Sequence, residues 1–183
     1  MSFALRFPLS AIPSLGSRYS YKNEELVERI VGPRAREQGF LTLDDFLTLC
    51  RWKAPRAERH YVQNLDSDIR AVTKLALSTT NDRLKISLLM ALHGVNWPMA
   101  SVILHFTAQE PYPILDFRAL WSLSVMKPNF YTFDLWRAYT EFCRDLAAQA
   151  NVPMRTLDRA LWQYSKENQG AARYAACLKE RDE

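Results

Sequence analysis

Three features of the sequence predict an all-α fold. Apolar residues recur at three- and four-residue spacing along most of the chain. No run alternates with period two strongly enough to argue for a sheet. Only 5 glycines and 9 prolines punctuate 183 residues, which leaves room for long regular elements. Hydrophobic residues make up 48% and aromatics 12%, a composition that excludes a disordered polyelectrolyte. The length is that of one domain or two small lobes, enough to bury a core without a covalent staple.

The first segment, up to Asn23, carries no acidic residue. Pro8, Pro13 and Gly16 argue against an amphipathic transit helix, and Arg6 and Pro8 interrupt any signal-peptide core. It is expected to be an extended arm, with Phe3, Leu5, Phe7 and Leu9 turned inward. A short helix is predicted over Glu24–Val31, stopped by Gly32-Pro33. Thr42 can cap the next, with Asp44 and Asp45 in its first turn and Phe46, Leu47 and Cys50 following. From Asp66, the positions of Ile69, Val72 and Ala76 predict another helix. Thr79-x-x-Asp82 resembles a capping box, ahead of the stripe Leu84, Leu88, Ala91 and Leu92. A tight turn over Leu92–Asn96 leads to Pro98, which suits the first turn of a helix. That helix, to about Thr107, is apolar nearly all round, so it belongs at the centre of the fold. Asp116 stands where the next helix can begin, with Leu120 and Leu123 inside it. Thr132 is placed to cap a helix holding Leu135, Tyr139, Phe142 and Leu146. A last long helix starts near Asn151-Val152-Pro153 and holds Leu157, Leu161 and Tyr164. The tail over 171–183 is expected to add a turn or two.

Charge and cysteine usage narrow the classes. Lys and Arg outnumber Asp and Glu by 24 to 20, and the pI is about 9.0. This mild basicity permits a nucleic-acid partner without demanding one. Cys50, Cys143 and Cys177 form neither a disulfide framework nor a paired zinc spacing. Reduced thiols fit an intracellular protein of the cytoplasm, nucleoid or nucleus. No apolar run approaches the ~20 residues of a membrane span. His60, His93 and His105 have no metal-ligand spacing, and His105 is expected to be a core histidine with a partner.

The stretch Leu89–Leu123 carries the chemistry. It reads as helix, hairpin, helix, loop, then a carboxylate at a helix start. Gly94 suits a backbone of positive φ or close approach, and Asn96 is the side chain that best tolerates such a backbone. Unpaired N–H groups at the start of the helix opened by Trp97-Pro98 make a natural phosphate site.

At these residues the chain resembles the helix-hairpin-helix DNA glycosylase superfamily, the endonuclease III-like group. The family's pattern falls on Leu92-His93-Gly94-Val95-Asn96, Ala100, Val102-Ile103-Leu104 and Ile114-Leu115-Asp116, about 35 residues without a gap. The resemblance implies two helical lobes with a cleft between them. One would cover 21–112 and carry the helix-hairpin-helix near 81–108. The other would combine the arm, 1–20, with 113–183. It also implies a duplex DNA partner, a nucleotide flipped out of the stack, and Asp116 as the catalytic carboxylate. Such a group stabilises the positive charge that builds on the sugar and orients the attacking water.

Three departures shape the expected activity. Members that also cut the backbone carry a lysine where this chain has Pro98, so a monofunctional glycosylase is expected, with no Schiff base. The four-cysteine cluster motif is missing, so no iron–sulfur cluster or other cofactor is expected. Asn96 replaces the second hairpin glycine, and Phe117-Arg118 replace the usual Thr/Ser-His pair. Gly94, Asn96 and Trp97 are the expected hairpin contacts to DNA. Lys53 and Arg56, in a basic run with Arg51 and Arg59, are expected to hold phosphates, with Trp52 as a wedge or stacking group. Tyr112 is a candidate wall for the base pocket. Trp121, Trp136 and Trp162 are read as core, and the chain is read as a monomer.

Blander readings stand beside these. Asp116 also suits a plain helix N-cap. The hairpin also suits an ordinary turn between helices, and the basic run a solvated face. The rival functions are a non-catalytic helix-hairpin-helix DNA-binding module and a helical protein-interaction domain.

Overall fold

A computed structural model describes residues 2–179, with side chains to Gly170. Cys177 and the end of the tail therefore lie outside the described side chains. Among the described residues the regular structure is helical, with no strand. The helices are α1 (Ile12–Arg18), α2 (Glu24–Leu26), α3 (Gly32–Gln38), α4 (Leu43–Lys53), α5 (Glu58–Tyr61), α6 (Asp66–Ser78), α7 (Asp82–Leu89), α8 (Trp97–Thr107), α9 (Phe117–Ser122), α10 (Phe133–Gln149) and α11 (Met154–Lys179). No helix among them is long and apolar enough to cross a membrane.

The chain divides into two compact units. One holds Met1–Ser20, Leu115–Tyr131 and Ala138–Glu183; the other holds Tyr21–Ile114 and Thr132–Arg137. In the first, α1 and α9 pack on α11. Its arm alternates: Phe7 is buried and Phe3, Leu5 and Leu9 are half-buried, while Ser2, Ala4, Arg6 and Pro8 are exposed. Ala4 N–H donates to Leu123 O and Arg6 N–H to Ser122 O, at 3.0 Å each, which tethers the arm beside the end of α9. The arm is not extended throughout. A 3-10 turn over Leu9–Ala11 and then α1 replace the extended chain expected after Pro8. Pro13 lies in the first turn of α1, where its missing N–H costs nothing. Gly16 does not break the helix either. A Cβ there would meet Thr156 O at 3.0 Å, so the glycine lets α1 lie close against α11.

The second unit is organised on α8. Ala100, Val102, Ile103 and Leu104 are fully buried, as an all-round apolar helix requires. Around it pack α3, α4 and α7. Gly32-Pro33 does not end the preceding helix as expected. A π-helical turn over Val27–Val31 passes directly into α3, with Pro33 in its first turn. A Cβ on Gly32 would sit 2.8 Å from Phe106 O, so close approach to α8 explains the glycine. The caps at Thr42, accepting from Asp45 N, and at Thr132, accepting from Leu135 N, form as expected. The box expected from Thr79 does not: Asn81 caps α7, accepting from Leu84 N, and Thr79 braces Asn81 N. Helix α11 runs on to Lys179, longer than the turn or two expected from 171 onward.

Candidate nucleic-acid interface

The hairpin joins α7 to α8 within the second unit. Its shape is set from two sides. Gly94 has φ +81°, which a glycine adopts at no steric cost. A Cβ at Gly94 would meet the Tyr61 ring at 2.6 Å and His60 Cβ at 3.0 Å, so the end of α5 lies against this face of the turn. From the other side, buried Asn64 holds His93 by both its backbone N–H and its C=O. His93 N–H donates to Asn64 Oδ1 at 2.8 Å, and Asn64 Nδ2 donates to His93 O at 3.0 Å and to Tyr61 O at 2.9 Å. Asn64 was not legible as a hairpin residue, because nothing in local spacing ties it to a turn 29 residues away.

Asn96 has φ −111°, not the left-handed backbone expected of it. Its work is a cap: Oδ1 accepts from Met99 N–H at 3.1 Å, and its carbonyl accepts from Ala100 N–H. Pro98 follows in the first turn of α8. Among the described residues, no acceptor meets the N–H groups of Gly94, Asn96 and Trp97. The first two residues are exposed and Trp97 is half-buried. Three N–H groups with no such acceptor, at and just before the positive end of an 11-residue helix, are an arrangement that attracts an anion.

Asp116 belongs to the first unit. It is half-buried and caps α9: Oδ1 accepts from Arg118 N–H at 2.8 Å, and its carbonyl accepts from Leu120 N–H. The charge of Asp116 is felt by two tyrosines. Tyr131 is raised by burial and then by Asp116, and Tyr139 is raised well above the ordinary phenol range by burial, Cys143, Asp158 and Asp116. The carboxylate thus stands in a partly desolvated, phenol-rich setting, where a charge acts over longer range than in water. Tyr131 carried no sequence signal, since it lies in a loop without periodicity.

Other expected residues fall elsewhere. Trp52 is buried rather than a projecting wedge, packed edge-on against Phe106 and Tyr21. Lys53 is half-buried and Arg56 exposed, while Arg51 is drawn into a 2.7 Å ion pair with Glu58. Tyr112 is buried in the second unit with its ring stacked on Trp136 at 5.8 Å, a core position in place of an open pocket wall. Its hydroxyl donates to Asp82 at 2.5 Å and accepts from Lys85 Nζ at 3.2 Å. Lys85 is buried as well. Desolvation works against its ammonium form, but the bonds to Glu110, at 2.9 Å, and to Tyr112 leave its pKa raised. His105 is half-buried with Nδ1 2.6 Å from Tyr112 O, a partnered histidine as expected. Trp136 is fully buried, but Trp121 and Trp162 are only half-buried, because their rings are flanked by cations instead of core. No group of three His, Cys, Asp or Glu able to hold a metal ion occurs among the described residues.

No family model, curated protein or solved structure matches the chain.

Proposed function

We propose that the protein is a monofunctional DNA glycosylase that hydrolyses the N-glycosidic bond of a flipped, damaged or mispaired base. The observation that carries this reading is the hairpin between α7 and α8. It combines a left-handed Gly94 with N–H groups of Gly94, Asn96 and Trp97 that no acceptor among the described residues meets. This is the geometry that grips a phosphodiester. The second element of the reading is Asp116 at the spacing the family resemblance requires. Its role is to face the developing sugar cation and orient the attacking water. The test is a panel of duplexes, each with one lesion or mispair, scored for abasic sites. At least one substrate should be converted, and with no conversion on any of them the glycosylase reading fails.

The same reactions quenched with borohydride should yield no covalent protein–DNA adduct. Pro98 offers no amine, and Lys85 is buried and held as an ammonium by Glu110, the reverse of what a nucleophilic lysine needs. A trapped adduct on denaturing gels would contradict this.

Phosphate binding at the hairpin has a clean probe in Asn96→Asp. Aspartate caps a helix as well as asparagine does, and its charge suits the N-terminus, so stability should hold within roughly 1 kcal/mol. The new charge sits among the unbonded N–H groups, so affinity for duplex DNA should fall about tenfold or more at low salt. Wild-type affinity in this variant, measured by anisotropy, would remove the hairpin from the interface.

A non-catalytic DNA-binding module is the second reading. It is favoured by one observation: Asp116 Oδ1 is already engaged as the cap of α9 through Arg118 N–H.

A further inference from the structure

Two histidines without metal-ligand spacing meet at the hairpin. His93 immediately precedes Gly94 and is exposed; Asn64 holds its backbone, and no hydrogen bond or ion pair among the described residues engages its ring. His60 comes from the end of α5 and is exposed too; its Cβ lies 3.0 Å from where a Cβ on Gly94 would stand. Arg59 Nε donates to His60 Nε2 at 3.3 Å. In a neutral ring held this way Nε2 is the acceptor and Nδ1 carries the proton. A second proton must enter at Nε2, and when it does the Arg59 guanidinium is released. Arg59 is exposed and has no carboxylate partner among the described residues. All of these residues, and the turn itself, belong to the second unit.

The other ionisable groups of the surrounding elements are either engaged elsewhere or far from neutral pH. Tyr61, against the turn, is pushed up to about 12 by burial and then by Cys50, and the Cys50 thiol of α4 is itself pushed up by burial. Glu58 of α5 is held by Arg51 at 2.7 Å. Lys85 of α7 and His105 of α8 are engaged at Tyr112 instead. The flanks of the hairpin, residues 88–92 and 97–101, contain no ionisable side chain.

We propose that His60 and His93, with Arg59, make duplex binding at this hairpin proton-linked, so that the protein grips DNA more tightly as pH falls from 8 to 6. The inference rests on the reading of the hairpin as the duplex contact and names how that contact is regulated. Histidine is the side chain whose ordinary charge change falls in this range. A phosphate beside an imidazole favours the charged ring. The bound state therefore holds more protons than the free one, and linkage gives higher affinity at lower pH. Each charged ring adds donors beside the N–H groups of Gly94, Asn96 and Trp97, and the released Arg59 adds a further cation. Arginines alone would hold a phosphate equally over this range, because they stay charged throughout. Exposed imidazoles at a turn have no packing task, so their charge is what they contribute here.

The test is binding of a labelled, lesion-free duplex to the full chain at pH 8 and pH 6, at matched ionic strength. Wild-type affinity should rise about tenfold or more between the two. The log–log salt slope should be steeper at pH 6 by about 1–2, as one or two more neutralised phosphates would give. Calorimetry near pH 7 in buffers of different ionisation enthalpy should show uptake of roughly one proton on binding. His60→Gln combined with His93→Gln should bind as wild type does at pH 8, melt at the same temperature, and gain less than about twofold at pH 6, with no proton uptake. A double variant that keeps the wild-type pH dependence overturns the proposal. So does one that is weakened equally at both pH values, because the histidines would then serve the shape of the turn and not its charge. Duplex binding by the wild type that does not change with pH overturns it as well, while the hairpin remains the duplex contact. No duplex binding at either pH sinks both readings together, so the two failures are told apart.

Discussion

Asp116→Asn is expected to lower base excision a hundredfold or more on any substrate the wild-type chain processes, while leaving the fold in place. The rate effect follows from charge. A preorganised carboxylate beside the reacting sugar stabilises positive charge that exists only in the transition state, and losing a term of this kind typically costs on the order of a hundredfold or more. Asparagine cannot supply that charge, nor take a proton from water. The fold is spared because the asparagine amide oxygen can still accept from Arg118 N–H, the 2.8 Å bond that caps α9. Stability should therefore stay within roughly 1 kcal/mol. Asp116→Ala is the contrasting variant: it loses both cap and charge, so it should lose activity and also about 1 kcal/mol. If Asp116 is only a cap, the pattern differs, with Asp116→Asn silent in excision, melting and DNA affinity alike. Measuring all three on both variants separates the roles. Loss of the charge should also relieve Tyr131, whose phenol Asp116 helps to hold up, after burial. The titration midpoint of Tyr131, followed by ultraviolet absorbance, should fall in Asp116→Asn. That readout depends on the charge alone and would move even in an inactive protein.

What the sequence discloses about this chain is mostly local. The all-round apolar face of α8, the caps at Thr42, Thr132 and Asp116, and the turn at Gly94 all rest on residues within a few positions of each other. Periodicity and side-chain chemistry express such features directly. The misreadings share a different cause. Gly32-Pro33, Pro13 and Gly16 look like breakers, yet each stays within helical structure: the prolines stand in first turns, and the glycines serve contact with a distant element. Gly32 makes room for Phe106 O and Gly16 for Thr156 O, and neither partner is visible from its own neighbourhood in the chain. Trp52, expected as a wedge or stacking group, and Tyr112, expected as a pocket wall, are both buried instead for the same reason. Trp52 in its basic run reads as exposed until Phe106 is known to cover it, and Tyr112 in its proline-flanked loop reads as open until Trp136 is known to stack on it. Asn64 and Tyr131 were missed because each acquires meaning only from residues far away in sequence.

Gly94→Ala should be among the most destabilising single-methyl additions in the chain, at roughly 2–5 kcal/mol, and the reason can be divided into two parts by a second glycine. Gly94 and Gly39 have nearly the same backbone, φ +81° and +79°. An alanine at either pays for a left-handed conformation that L-residues rarely take, about 1 kcal/mol or somewhat more. At Gly39 nothing lies within 4 Å of the added Cβ, so the cost should stop there. At Gly94 the methyl would stand 2.6 Å from the Tyr61 ring, well inside contact distance. Tyr61 is buried, with its ring edge-on to Phe46, so it cannot swing aside freely. Forcing a methyl into such packing typically adds about 1–3 kcal/mol. Equilibrium unfolding in denaturant should thus show Gly94→Ala well below Gly39→Ala. Tyr61→Leu carries its own cost, but in the double variant the two costs should sum to more than the measured loss, since the smaller side chain makes room for the methyl. Simple additivity would mean that Tyr61 does not shape the hairpin. The same set bears on function. A turn pushed off the Tyr61 ring would misdirect the N–H groups of Gly94, Asn96 and Trp97. Duplex affinity should accordingly fall in Gly94→Ala, hold in Gly39→Ala, and recover in part when Tyr61→Leu is combined with Gly94→Ala.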